Sequence, residues 1–76
     1  MFMTPSVGRI VHYVSYGTPG GEYHQECRAA IVTEVLAGAV CLFVMNPTGL
    51  FLNMDVVQDE DVLRGGTWHW PERVEE

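Results

Sequence analysis

Apolar and polar positions along this chain fall into short runs with a strand-like period, broken by glycine and proline. Val7 to Val14 (VGRIVHYV), Arg28 to Val35 (RAAIVTEV) and Val40 to Met45 (VCLFVM) are rich in β-branched and aromatic residues. Leu50 to Leu52 and Thr67 to Trp70 are shorter runs of the same kind. Between the runs stand Gly17-Thr18-Pro19-Gly20-Gly21, Ala37-Gly38, Asn46-Pro47-Thr48-Gly49 and Gly65-Gly66. Asn-Pro-x-Gly suits a type I turn, with proline at its second position and glycine at its fourth. The pattern predicts a mainly β fold over 1–76 as one domain: a small SH3-like barrel or a strongly bent antiparallel sheet of about five strands. The one stretch able to form a short helix lies near 55–64 (DVVQDEDVLR), where Asp59-Glu60-Asp61 would occupy the first turn at the positive end of the helix dipole.

A sheet with one wet face alternates apolar with polar residues. Val40-Cys41-Leu42-Phe43-Val44-Met45 does not. Val40, Leu42 and Val44 point one way, and Cys41, Phe43 and Met45 the other. A chain this short has one core, so the second face needs cover, from the segment 54–66 or from a second copy of the protein. A central strand buried within the monomer is the alternative. A domain near this size buries only ~60% of its unfolded surface, and that marginal size favours a homo-oligomer.

Composition narrows the function. Hydrophobic residues make up 47% of the 76, too many for a disordered chain. The net charge is −6, there is no lysine, and Arg9, Arg28, Arg64 and Arg73 are the only fixed cations. A general nucleic-acid binder shows a basic face, because phosphate neutralisation dominates its affinity. This chain has none, although one arginine can still hold one small anion. The most apolar region, Ala29 to Met45, is interrupted by Thr33, Glu34 and Gly38 and is no membrane span. The first six residues lack the features of a signal peptide, so a cytosolic protein is expected.

Candidate chemistry is sparse. In a hairpin turning near Ala37-Gly38, Cys41 lies opposite Thr33, and Cys27 is then about 20 Å further along its strand. That is too far for a disulfide. His24 and Cys27 stand at metal-ligand spacing, but zinc needs two more donors, from His12 and His69, and nothing in the sequence brings the four together. Metal and other cofactors are therefore not expected. Cys27 with His24, or Ser15 with His12, can be drawn as nucleophile and base, yet neither sits in a catalytic signature, so no enzyme activity is expected. Asp59-Glu60-Asp61 and Glu75-Glu76 read as solvated surface, and His69 as a surface or interface histidine.

Binding is the better prospect. Tyr16, Tyr23 and His24 flank the glycine-rich loop and Arg28 opens the next strand, which places amide donors, aromatic faces and a cation close together. Trp68 and Trp70 point the same way in an extended segment, one toward the core and one partly exposed, and the spacing does not say which. The candidate ligand-binding residues are Tyr16, Tyr23, Arg28 and Trp70, with Arg9 in reserve.

The words VGRIVHYVSYGTPGGEY, ECRAAIVTEV, NPTG and GTWHWPE run from Val7 to about Val74. They resemble a group of small proteins encoded by actinobacterial phages and their hosts. The resemblance implies a phage accessory role without supplying a catalytic residue. Between Thr33-Glu34-Val35 and Val40-Cys41-Leu42, where the resemblance implies a longer polar loop, this chain is short. Two functions follow as expectations. In one, the protein is a non-catalytic anti-defence binder that sequesters a small anionic nucleotide-type signal as a homo-oligomer in the host cytosol. In the other, it is an interaction module that inhibits or tethers a host protein.

Overall fold

The glycine and proline punctuation falls where the chain reverses. A computed structural model describes residues 4–17 and 24–71. Five strands form: β1 (Ile10–Val14), β2 (Cys27–Leu36), β3 (Ala39–Asn46), β4 (Gly49–Val56) and β5 (Trp68–His69). They make one antiparallel sheet in the order β4-β3-β2-β1-β5. Two-residue turns at Ala37-Gly38 and Pro47-Thr48 join the central strands, with Gly38 supplying the positive φ of 80° that the tight reversal needs.

Two β-bulges bend the sheet. One extra residue on β2 shifts the register between Val32 and Glu34, so that Cys41 pairs with Glu34 and not with Thr33. A second bulge, on β4 opposite Val40–Leu42, uses Asp55 at φ 55°. Bulges sharpen local twist, and these two flank the same stretch of β3. The chain leaving β4 is thereby aimed at the far edge of the sheet. There Trp68 N–H donates to Val57 O (3.0 Å) and Asp59 N–H to Trp68 O (2.9 Å), a parallel bridge that joins the two ends of the strand order.

The sequence allowed a helix near 55–64; among the described residues there is no helix at all. Asp59 turns the chain instead. Its carboxylate accepts N–H groups from Asp61 (3.3 Å), Val62 (3.0 Å) and Arg64 (3.0 Å), and the Arg64 guanidinium at 2.9 Å. The first two bonds resemble a helix cap, but Leu63 at φ 59° ends the turn before a second one begins. Asp59 is thus buried, not solvated as its acidic neighbours suggested.

The inner face of the sheet holds the core. Val11, Ala30, Val32, Val40, Leu42, Val44 and Trp68 are essentially sealed from solvent. Trp70 is half-buried against this cluster and meets Trp68 edge to face at 5.3 Å, with Arg9 over its other side at 5.1 Å. Trp68 is therefore the core ring and Trp70 the partly exposed one.

The outer face is only partly covered. Register places Ile10, Ile31, Phe43 and Leu52 in one row across four strands, and Ala29, Met45 and Leu50 in the next. Leu52 is 76% exposed, Leu50 63% and Ile10 57%. The segment 54–66, one of the two expected covers, runs to β5 and leaves these rows open. No helix among the described residues is long and apolar enough to cross a membrane.

Candidate functional site

Alternation along β2 sends Arg28 to the inner face, two residues before buried Ala30, at the end of the sheet where the core opens to solvent. One step beyond the Ala29–Met45 pair, it lies beside Asn46. A cleft of about 370 Å³ opens there, lined by Tyr16, His24, Arg28, Asn46, Pro47 and Phe51 among others. That volume falls within the range of small-molecule pockets, near its lower end.

The cleft has polar groups as well as rings. Arg28 donates from Nη2 to the Glu26 carboxylate at 3.0 Å, a pair open enough to solvent to be weak. Its Nε is buried and has no hydrogen-bond partner among the described residues, and the same is true of Asn46 Oδ1. A buried donor and a buried acceptor left unpaired are costly.

Neighbouring backbone contacts position the aromatic wall. Ser15 N–H donates to Glu26 O (2.8 Å), Glu26 N–H donates to Ser15 Oγ (3.0 Å), and Gly66 N–H donates to Val14 O (2.7 Å). Tyr16 lies across Gly65 and Gly66, where any added methyl at Gly66 would collide with the phenol. Tyr16 is 70% exposed, and its ring rests against Gly65 and Gly66. On the inner side of the same strand, burial pushes the Tyr13 phenol above its usual range, with Tyr16 adding to the effect.

Of the residues expected to bind ligand, Tyr16 and Arg28 share this cleft. Arg9 and Trp70 stack on each other and do not line it. Tyr23 lies outside the described residues. Asn46 and Phe51 were not anticipated, although the hairpin register that set Cys41 against Thr33 also sets Arg28 against Asn46. His24 faces this cleft and is not among the donors gathered around Cys27.

On the outer face, Cys27, His12 and His69 come together from β2, β1 and β5. His69 pairs with His12 across the strands and is 2% exposed, so it is not the surface histidine that its place between two tryptophans implied. The physical reason is that β5 sits against β1, beneath the His12 ring and the Cys27 thiol.

Searches against family models, curated proteins and solved structures give no match to this chain.

Proposed function

We propose that this protein is a non-catalytic binder of a small anionic, nucleotide-type molecule, taken up in the cleft at the open end of its bent sheet. The observation that carries the reading is one cleft that gathers Arg28 and Asn46 between the rings of Tyr16 and Phe51. A guanidinium fork suits a phosphate, Asn46 accepts from an amino or hydroxyl group, and the rings accept a base. In the phage setting that the sequence words suggest, such a chain acts in the host cytosol by withholding a nucleotide signal from its receptor.

Arg28→Ala should weaken ligand binding at least ~10-fold, the loss of one charge-assisted contact, while the melting curve without ligand changes little. Native mass spectrometry with a panel of signalling nucleotides, backed by thermal shift, tests this. A ligand raises stability by RT ln(1+[L]/Kd) only if it binds the folded state. Unchanged affinity in Arg28→Ala would remove the cleft from consideration.

Self-association belongs to the same reading. The exposed side chains Ile10, Leu50 and Leu52 of the outer rows are apolar, so a second copy of this chain can cover them by apolar contact. Native mass spectra should show a discrete oligomer, and Ile10→Lys with Leu52→Lys should convert it to a folded monomer. Both side chains are exposed in the monomer, so the double variant leaves the core intact. The same apolar face supports the second reading, an interaction module for a host protein. A monomer that ignores every nucleotide would favour it.

A further inference from the structure

Three side chains that the cleft does not use converge on the outer face. The potential ligand atoms of His12, Cys27 and His69 all lie within 4.8 Å of one another. Cys27 Sγ stands 3.6 Å from His69 Nε2, and the two histidine rings meet edge on, at 5.5 Å and 89°. In a tetrahedral zinc site with metal bonds of about 2.3 Å to sulfur and 2.0–2.1 Å to nitrogen, sulfur and nitrogen donors are separated by about 3.6 Å. One edge of such a tetrahedron is already in place, and a shift of about 1 Å by the half-buried His12 ring brings in the third donor.

We propose that His12, Cys27 and His69 form a zinc site with three protein donors and a fourth position open to solvent beside the exposed Cys27. The donor set is one thiolate and two imidazoles, which suits zinc and does not suit the hard, oxygen-seeking calcium or magnesium ions. Three paired strands hold the donors, with His12 and His69 directly paired and Cys27 opposite Val14, two residues along from His12 on the same face. The net charge of −6 attracts cations to the chain. A cysteine beside a histidine can also serve as nucleophile and base. Here the third member is another imidazole, a ready metal donor, and not the carboxylate or amide that usually orients a catalytic histidine.

Cobalt(II) titration of the metal-stripped full chain tests the site, with zinc as competitor. One cobalt per chain should give a thiolate-to-metal charge-transfer band together with the intense visible bands of four-coordinate cobalt, and zinc should abolish both. Cys27→Ser should remove the charge-transfer band, whereas Cys41→Ser should retain it. His12→Asn, at a half-buried position where the fold tolerates change, should weaken zinc binding by about 100-fold, since even outer-shell partners are worth 10–100-fold. Circular dichroism of each apo variant separates loss of donor from loss of fold. No charge-transfer band at saturating cobalt, a band that survives Cys27→Ser, or uptake of copper(I) without zinc or cobalt would each overturn the assignment.

Discussion

Trp68→Ala is expected to remove a large share of the protein's stability. Trp68 is 2% exposed, packs edge on against Trp70, and its backbone makes both hydrogen bonds that join β5 to the segment leaving β4. Truncating a buried tryptophan to alanine costs about 3–5 kcal/mol. A domain of this length has about 4–11 kcal/mol of total stability, so one side chain accounts for a large share. Trp68→Phe supplies the contrast. The indole Nε1 has no hydrogen-bond partner among the described residues, so phenylalanine loses volume but no polar contact and should retain most of the stability. Urea unfolding followed by far-ultraviolet circular dichroism measures both. An alanine variant within about 1 kcal/mol of the parent would show that the ring does not organise the core.

The second large effect belongs to Asp59. Hydrogen bonds from the Arg64 and Val62 backbone amides, then from the Arg64 guanidinium, hold its carboxyl well below the usual carboxylate range, against a smaller opposing effect of burial. A carboxyl whose pKa is lower in the folded state than in the unfolded chain stabilises the fold above its unfolded value of about 3.9. That contribution is lost as pH falls from about 4 toward the folded value. Thermal melts from neutral to strongly acid pH should therefore show the parent losing stability on the acid side. Asp59→Asn should melt lower at neutral pH, because the amide offers one acceptor oxygen where the carboxylate offers two. It should also show a shallower acid decline, because the amide does not titrate. Parallel pH profiles for parent and variant would mean that other carboxylates set the acid sensitivity. The effect should be global, because the loop that Asp59 ties down carries the closing strand segment. Asp59 N–H bonds to Trp68, and Glu60 accepts the Trp70 N–H at 2.9 Å.

Particular residues show how far local pattern reaches. The five strands and their turns were legible because β-branched runs and Gly/Pro punctuation act over a few residues, the scale at which sequence is read. The excess of apolar residues on β3 marked an outer face needing cover, and in the single chain that cover is partial. Cys41 is buried and Phe43 and Met45 are half-buried, while Ile10, Leu50 and Leu52 on the other strands are exposed. The helix near 55–64 was a local possibility overridden by one side chain. Asp59 had partners out to Arg64 that completed its bonds in a tighter turn than a helix allows. Two of the candidate binding residues share the cleft. Tyr16 and Arg28 come from the two ends of one connection, whereas Phe51 reaches the cleft only because β4 pairs with β3. Arg9 and Trp70 are also neighbours, but of each other, because β5 pairs with β1.

The sequence by itself determined the strand periodicity, the turns, the single small core and the absence of a basic face. All of these depend on residue type and near neighbours. Tertiary structure alone decided which tryptophan is buried, that Asp59 is an internal anchor, and that His12, Cys27 and His69 share one spot on the outer face. Those outcomes depend on the β1–β5 pairing and on two bulges that bend the sheet until its ends meet. Pairing of this kind joins residues up to 57 positions apart, as His12 and His69 are. No local pattern encodes the register of strands so distant, because it is set by how the whole sheet closes over its core.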